Sequence, residues 1–270
     1  MKILVADCGA TKADWYVSGG ACAHTHGINM KHMPLERVKS IIAEAAEKLG
    51  PGIDEVHFFA AGALGEPPID FGEWFPGATV EYASDIYAAA RAVCGRAEGI
   101  AAIVGTGANT CQWDGEKIVR QFRPGGHVLG DEGSASVLGK LFLGDYIKGL
   151  VPEELVGAFR EQFPKACNYN DIMDAVYKGE TPARFLGGVA PFVTAHYQRN
   201  EYCKDLVDNN FRDFFRRAVI RYDALPLGVV GGFGYACRDI LRRIGEEEFG
   251  VRFTTILPSP LEGLKKYYGL

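Results

Sequence analysis

The 270-residue sequence lacks the patterns that mark several large classes of protein. Its longest apolar runs, such as IAAIVG, are far shorter than the roughly 20 residues that cross a bilayer, and no signal-peptide pattern precedes the first strand. The net charge is −5, and no basic stripe with interleaved aromatic residues stands out. These absences argue against a membrane or nucleic-acid partner, and we expect a cytoplasmic protein.

Metal and dinucleotide motifs are also missing. The seven cysteines form no C-x-x-C and the six histidines no H-x-x-x-H, which disfavours a structural zinc and indicates reduced, mostly buried thiols. The G-G-F-G at 231–234 is not G-x-G-x-x-G, and no acidic residue follows it at the dinucleotide spacing. A Rossmann cofactor site is therefore disfavoured.

What the sequence does contain is an alternation of apolar strands and amphipathic helices. The first 98 residues follow the order β, β, α, β, β, α. From residue 99, three strands precede a long helical series, and strand, helix, strand, helix close the chain. The helical series is predicted at 134–148, 152–163, 169–178, 182–198 and 201–222. This order predicts mostly parallel α/β sheets in two domains, 1–98 and 99–270. The second domain carries a helical insertion, and the last helix is a candidate to pack on the first.

The stretch DCGATKADW at 7–15 contains a glycine turn of the kind that binds phosphate. It is not a P-loop, because Thr11 precedes Lys12 and no second glycine stands four residues upstream. The aromatic and β-branched residues at 15–17 favour a strand after the turn. We therefore predict a β-hairpin, whose tip would offer backbone N–H groups to a phosphate.

An internal similarity suggests that this hairpin occurs twice. DCGATKADW aligns without a gap to GTGANTCQW at 105–113, so that Gly9 and Trp15 match Gly107 and Trp113 at an offset of 98 residues. Each copy follows a buried strand. Chance coincidence stays open in a chain with 34 glycines, but the shared context favours two α/β units that face each other across a cleft.

The end of the first strand carries a possible phosphate and metal site. Asp7 stands beside the turn of Gly9, Ala10, Thr11 and Lys12. A carboxylate here can orient waters on Mg²⁺, while the turn meets phosphate oxygens. The alternative is a structural aspartate that caps its own turn.

Two further positions lie at predicted strand ends, where open α/β sheets bind ligands. Asp85 follows a strand and opens a helix, a place where an aspartate is stabilised by the helix dipole without any catalytic role. The segment 105–107 with Asn109 reads either as a second phosphate-binding turn or as a plain tight hairpin.

The segment GGHVLGDEGSAS at 125–136 places Asp131 and Glu132 between glycines and before a helix N-terminus. Glycines let backbone approach a ligand closely, and exposed N–H groups can take sugar or phosphate oxygens. A capped helix start is the alternative. Further along, Gly231 and Gly232 follow a strand, where an adenine could lie against backbone.

The order of these motifs, from DCGATK through SDIYAAARAVCG, IVGTGAN, GDEGSAS and VVGGFG to SPLEGL, resembles the BadF/BadG/BcrA/BcrD ATPase family. Within it the chain is most similar to the N-acetylglucosamine kinase branch of the sugar kinase/Hsp70/actin superfold. The resemblance implies two duplicated ribonuclease H-like domains with a nucleotide and sugar cleft between them. The mammalian-type enzymes have a tryptophan where this chain has Gly125, so one sugar-stacking wall is expected to be missing.

The resemblance also implies roles for individual residues. Asp85 would be the catalytic base, and Asp7 would hold Mg²⁺ through water. The expected ATP contacts are Gly9, Ala10, Thr11, Lys12, Gly105, Thr106, Gly107, Gly231 and Gly232. The expected sugar contacts are Asn29, Asp85, Thr106, Asn109, Gly126, Asp131 and Glu132.

The implied function is ATP-dependent phosphorylation of the primary hydroxyl of an amino sugar, foremost N-acetylglucosamine. Glucosamine and N-acetylmuramic acid stay open as substrates. A nucleotide-gated regulator on the same scaffold is the rival from another class. The expected ligands are the sugar, ATP and Mg²⁺, with a homodimer as a candidate assembly.

Overall fold

The computed structural model describes residues 1–9 and 11–270. It contains two five-stranded mixed sheets, each flanked by helices. The elements of the first are β1 (Ile3–Cys8), β2 (Lys12–Val17), β3 (Cys22–His26), α1 (Leu35–Leu49), β4 (Glu55–Ala60), β5 (Thr79–Ser84) and α2 (Asp85–Cys94). A 3₁₀ turn, Phe71–Glu73, precedes β5.

The second sheet is interrupted by a helical insertion. Its strands are β6 (Gly99–Val104), β7 (Ala108–Trp113), β8 (Ile118–Arg120), β9 (Leu227–Val230) and β10 (Phe253–Leu257). The insertion contains α3 (Gly126–Leu129), α4 (Ala135–Tyr146), α5 (Glu153–Gln162), α6 (Tyr169–Tyr177), α7 (Pro182–Ala195) and α8 (Glu201–Phe214), followed by a π-helical segment, Phe215–Val219. Helices α9 (Gly232–Ala236) and α10 (Arg238–Phe249) lie between β9 and β10, and α11 (Leu261–Tyr268) follows β10.

The two sheets share one topology. Their strand orders are β3-β2-β1-β4-β5 and β8-β7-β6-β9-β10, with three antiparallel strands followed by two parallel additions in each. Trp15 in β2 and Trp113 in β7 are both fully buried. Their registers differ, since Trp15 pairs with Ala6 in the middle of β1 and Trp113 pairs with Gly99 at the start of β6. The duplicated two-unit fold expected from the offset of 98 residues is confirmed.

The larger core lies between the second sheet and its helices. Phe142, Phe159 and Phe192 pack with ring centroids 5.0 to 5.4 Å apart. Helix α4 approaches α7 closely at Gly139, where a β-carbon would lie only 1.9 Å from the carbonyl oxygen of Leu186. This close packing fixes the start of α4, which carries part of the site described below.

The last helix packs on the first sheet and on α2. Leu264 is fully buried in a cluster with Val5, Phe59 and Ala88. The Tyr268 ring stacks on His57, with centroids 3.8 Å apart. Helix α11 therefore closes over the junction between β1, β4 and α2.

Three features differ from the sequence-based expectation. Strand β3 was not predicted, because its polar residues alternate with a single buried alanine, Ala23. The helix predicted over 201–222 ends at Phe214 and continues as the π-helical segment. The single helix expected between the last two strands is divided into α9 and α10, which meet at Cys237. No helix in the described part of the chain is both long and apolar enough to span a membrane.

Candidate active site

A cleft of about 680 Å³ runs between the two sheets. Both hairpin tips, the start of α2 and the start of α9 contribute to its walls, so the carboxyl ends of the parallel strands open into it. The predicted site residues that line it are Asp7, Gly9, Thr11, Lys12, Asn29, Asp85, Gly105, Thr106, Gly107, Asn109, Asp131, Gly231 and Gly232. Ala10 lies outside the described residues.

The two glycine hairpins meet at their tips. Thr11 and Thr106 share a hydrogen bond, with their Oγ1 atoms 3.3 Å apart. The backbone of the second tip is also hydrogen-bonded to the start of α4. The N–H of Ala135 donates to the carbonyl of Gly105 at 2.9 Å, and the N–H of Ser136 donates to the carbonyl of Thr106 at 3.1 Å. The N-terminus of α4 thus fixes one of the two tips that face each other across the cleft.

Asp7 and Asp85 form a pair of half-buried carboxylates in this cleft. Burial raises the pKa of Asp7 to about 7, and repulsion by Asp85 and Asp14 adds to the effect. Burial also raises the pKa of Asp85 to about 6, although backbone N–H groups at the start of α2 oppose the shift. Carboxylates in this range can exchange protons near neutral pH.

Lys12 lines the cleft, but its ammonium group is engaged elsewhere. Its Nζ donates to Asp14 Oδ2 at 2.9 Å, and His24 Nδ1 lies 2.7 Å from the other oxygen of Asp14. Asp14 was missed by the sequence analysis, although it follows Lys12 by two residues on the same face of β2. Lys12 would have to leave Asp14 to reach a phosphate.

Asp131 and Asn109 line the cleft beside the second hairpin tip. Asp131 has a φ of 59°, a left-handed backbone that is uncommon outside glycine. Its carboxylate crowds the backbone of Gly107, where a β-carbon would lie 2.9 Å from Asp131 Oδ2. Burial raises the pKa of Asp131 to about 6. Asn109 Oδ1 accepts from Gln121 Nε2 at 3.0 Å, which orients the amide.

Asn29 enters the cleft from the first domain beside Gly62. A β-carbon on Gly62 would lie 2.9 Å from Asn29 Oδ1, and Gly62 has a φ of 73°. Only glycine therefore leaves room for the amide in this position. Gly62 itself lines the cleft and was missed, although a glycine directly after the buried strand FFAA was a usable signal.

Gly231 and Gly232 connect β9 to α9 and form part of the cleft wall that the second sheet supplies. Gly231 has a φ of 128°, and a β-carbon there would lie 2.4 Å from the carbonyl oxygen of Val104. Gly232, by contrast, has no atom within 4 Å of its β-carbon position. The segment Pro258-Ser259-Pro260 completes this wall and was also missed as a site element.

Two of the predicted sugar contacts lie elsewhere. Glu132 lines a second, smaller cavity and pairs with Arg217 at 3.4 Å. Gly126 begins the short helix α3 and is exposed, and it is not among the residues that line either cavity.

The donors in the cleft are compatible with a bound Mg²⁺. In the part of the chain that the structure describes, no cluster of three His, Cys, Asp or Glu residues forms a protein cage for a metal. Mg²⁺ characteristically keeps several waters and takes one or two carboxylates together with substrate phosphates. Asp7, whose anionic form is disfavoured by burial and by Asp85, is a carboxylate that a cation would stabilise.

Solved structures with the same fold include proteins named as sugar kinases. A protein from Porphyromonas gingivalis named "Putative N-acetylglucosamine Kinase" is 35% identical, with 98% of each chain covered and a TM-score of 0.87. A protein of the same name from Chromobacterium violaceum is 19% identical, with 98% of each chain covered and a TM-score of 0.71.

A more distant structure contains ligands. It is a ROK family glucokinase from Streptomyces griseus in complex with glucose and AMPPNP, 16% identical over 99% of this chain and 96% of that one, with a TM-score of 0.54. At such identity it bears on the fold alone, as does the Chromobacterium protein. No protein-family model and no curated protein matches the chain.

Proposed function

The chain belongs to the family of the Porphyromonas gingivalis N-acetylglucosamine kinase-like protein, and on that premise we propose that it is an ATP-dependent kinase acting on the primary 6-hydroxyl of an amino sugar, N-acetylglucosamine foremost. The order of its motifs supports membership of the BadF/BadG/BcrA/BcrD ATPase family.

The observation that carries the proposal is that Asp85 lines one cleft together with two sets of groups. The first set is the pair of hairpin tips that contain Thr11 and Thr106, which suit a polyphosphate. The second set is Asn109 and Asp131, whose amide and carboxylate suit the hydroxyls of a sugar. A base that shares a cleft with a phosphate cradle and a polyol site has what phosphoryl transfer to an alcohol requires.

In the proposed reaction the primary hydroxyl oxygen forms a bond to the γ-phosphorus of ATP. The bond from that phosphorus to the β,γ-bridging oxygen breaks, and ADP leaves. The hydroxyl proton passes to a carboxylate oxygen of Asp85, which later releases it to solvent. The products are the sugar 6-phosphate, ADP and one proton, so atoms and charge balance.

The protein contributes mainly position and electrostatics. Backbone N–H groups around Gly9 and Gly107 would hold the phosphate oxygens, and the hydroxyls of Thr11 and Thr106 keep the tips together. Gly231 and Gly232 would line the site of the nucleoside, and the space beside Gly232 is open. Asp7 would hold Mg²⁺ through water, and the ion would offset the negative charge of the phosphates.

The rival function is a nucleotide-gated regulator with the same fold, which would need no polar sugar contacts. Release of ADP from Mg-ATP, measured with N-acetylglucosamine, glucosamine, N-acetylmuramic acid and glucose in turn, separates the two. A kinase gives sugar-dependent ADP release and a sugar phosphate. Equal basal rates with all four sugars, with ATP still bound, would favour the regulator.

A further inference from the structure

The segment 131–134, called the acidic turn below, connects α3 to α4 and brings Asp131 into the cleft. The left-handed backbone of Asp131 is unfavourable for a residue with a β-carbon, so it persists only where other contacts hold it. The N–H of Asp131 donates to the carbonyl of Pro124 at 2.9 Å, and the N–H of Ser134 donates to the carbonyl of Asp131 at 3.0 Å. These two bonds shape the turn but do not attach it to the helices behind it.

A buried side chain on α8, Asn210, attaches the acidic turn to the helical insertion. Its Oδ1 accepts from the N–H of Gly133 at 3.0 Å, and its Nδ2 donates to the carbonyl of Ser134 at 3.1 Å. Because a backbone N–H only donates and a backbone carbonyl only accepts, these partners determine which end of the amide is the oxygen. Asn210 is 1% exposed, so both bonds lie where water hardly reaches and are costly to lose.

Phe214 supports the turn from the same face of α8, because it follows Asn210 by four residues. Gly133 has a φ of 86°, and a β-carbon there would lie 2.6 Å from the β-carbon of Phe214. Glycine at this position therefore lets the acidic turn rest directly on α8, within reach of the Asn210 amide.

The acidic turn leads directly to the second hairpin tip. Ser134 is the N-cap of α4, and its Oγ accepts from the N–H of Val137 at 3.2 Å. The next two residues, Ala135 and Ser136, are those whose N–H groups bind the carbonyls of that tip. A displacement of the turn would thus move both a predicted sugar contact, Asp131, and one half of the proposed phosphate cradle.

We propose, on the premise of the kinase function above, that Asn210 is a positioning residue for phosphoryl transfer. It is not among the residues that line the cleft, and it acts by holding the acidic turn, so that Asp131 and the second hairpin tip keep their places. Asparagine suits this position because it presents one donor and one acceptor side by side on a short, planar amide, whereas an ionised aspartate presents acceptors alone.

The first measurement is the steady-state kinetics of Asn210→Ala with Mg-ATP and the sugar that the wild type phosphorylates fastest. We expect kcat/KM for the sugar to fall roughly 10- to 100-fold, because small misplacements at a reacting centre have effects of this size. The KM for ATP should rise by a smaller factor, about 2- to 10-fold, because the second hairpin tip loses part of its support. If Asn210→Ala does not fold, Asn210→Asp takes its place, since it keeps the shape and an acceptor for Gly133 while it replaces the amide donor.

Two double-mutant cycles separate positioning from a general loss of stability. In the Asp131→Asn background, Asn210→Ala should lower kcat/KM for the sugar by less than about threefold, because its effect on the sugar passes through Asp131. In the Asn29→Ala background, which removes a predicted sugar contact from the first sheet, Asn210→Ala should keep its full effect. Full effects in both backgrounds would overturn the proposal.

Two neighbours on α8 provide matched controls. Asn209 is exposed, whereas Asp208 is buried and accepts hydrogen bonds from Tyr197 at 2.8 Å and from Arg243 at 2.9 Å. Asn209→Ala should match the wild type in stability and kinetics. Asp208→Asn should lower the melting temperature, as Asn210→Ala does, but leave kcat/KM unchanged. An equal fall of kcat/KM in Asp208→Asn would assign the effect of Asn210 to stability and contradict positioning.

Amide hydrogen exchange of the free protein tests the clamp independently of activity. The N–H groups of Ala135 and Ser136 should exchange about tenfold faster in Asn210→Ala than in the wild type, because the turn opens more easily. In Asp208→Asn they should exchange at the wild-type rate. Faster exchange in Asn210→Ala without phosphorylation of any sugar would support the clamp and contradict the kinase function. Unchanged exchange would overturn the role of Asn210 whatever the activity.

Discussion

The side-chain oxygens of Thr11 and Thr106 lie 3.3 Å apart across the cleft, although 95 residues separate them in sequence. This contact joins the tips of the two duplicated hairpins, which are the proposed phosphate cradle. Each sheet therefore supplies half of the cradle, and the relative position of the two halves determines how well it holds a polyphosphate.

The first prediction concerns this contact. Thr11→Val and Thr106→Val keep side-chain shape and remove one hydroxyl each, so each should raise the KM for ATP about 2- to 10-fold, the effect of one hydrogen bond. Because the two hydroxyls act through the hydrogen bond between them, the KM for ATP of the double variant should be little higher than that of either single variant. Strictly additive effects in a steady-state double-mutant cycle would show that the hydroxyls act independently.

The second prediction concerns Gly231 and its neighbour. Gly231→Ala places a methyl 2.4 Å from the carbonyl of Val104 on a backbone with φ of 128°, and should lower the free energy of unfolding by about 2–4 kcal/mol. Gly232→Ala meets open space and should keep wild-type stability. Urea denaturation of both variants checks this. Equal destabilisation of the two would contradict the assigned backbone geometry.

The third prediction concerns the docking of the last helix. Tyr268 donates a hydrogen bond to Glu81 Oε2 at 3.0 Å, beside the ion pair of Glu81 with Arg91. Tyr268→Phe should cost about 1–2 kcal/mol of unfolding free energy. Tyr267→Phe is the control, because the Tyr267 ring contacts Arg96 while its hydroxyl forms no side-chain hydrogen bond within the described residues. A loss of similar size in both variants would show that the hydrogen bond from Tyr268 to Glu81 makes no specific contribution.

The ion pair of Glu81 with Arg91 stabilises the protein only over a defined pH range. The hydrogen bonds from His57 and Arg91 outweigh burial and lower the pKa of Glu81 from 4.5 to about 2. Its contribution to stability is therefore complete above pH 4.5 and is lost as the pH falls towards 2. The free energy of unfolding of Glu81→Gln should be lower than that of the wild type above pH 4.5, and the difference should shrink as the pH falls towards 2 in acid denaturation. A difference in unfolding free energy that stays constant over this interval would contradict the lowered pKa of Glu81.

The fourth prediction concerns Asp7, whose pKa is raised and not lowered as that of Glu81 is. Burial raises the pKa of Asp7 from 3.8 to about 7, so the apo protein loses stability from this group as the pH rises from about 4 to about 7. Asp7→Asn should melt at a higher temperature than the wild type at pH 8, by roughly 2–4 °C for each kcal/mol regained, and show no gain at pH 4. The same variant should lose activity with Mg-ATP.

Asp114→Asn serves as the contrast for that experiment. Backbone N–H groups of Lys117 and Glu116 lower the pKa of Asp114, so removing its charge should bring no gain in stability at pH 8. A gain of equal size in both variants would mean that lower net charge, rather than burial of Asp7, causes the effect.

Part of the site follows from local sequence and part does not. The two hairpins could be predicted, because a glycine turn between apolar, β-branched and aromatic residues favours few other structures. The position of Asp85 at a helix start could be predicted because it directly follows Ser84, the N-cap of α2. The engagement of Lys12 by Asp14 depends on cross-strand pairing with His24, which single-residue patterns do not reveal.

The second, smaller cavity could not be predicted from the sequence. It is lined by Arg123 and Arg221, which are about 100 positions apart, and their approach depends on the π-helical segment that ends the helical insertion. This segment contacts β7, a contact between distant parts of the chain that no local pattern indicates.

The central claim is that Asp85 accepts the proton of the sugar hydroxyl. The most direct measurement is the rate of sugar 6-phosphate formation by Asp85→Asn at saturating Mg-ATP, with nucleotide affinity measured on the same sample. We expect a fall of about 10²- to 10⁴-fold with nucleotide binding retained, and a wild-type rate that rises with pH through the Asp85 pKa of about 6. Unchanged sugar phosphorylation by Asp85→Asn would contradict it.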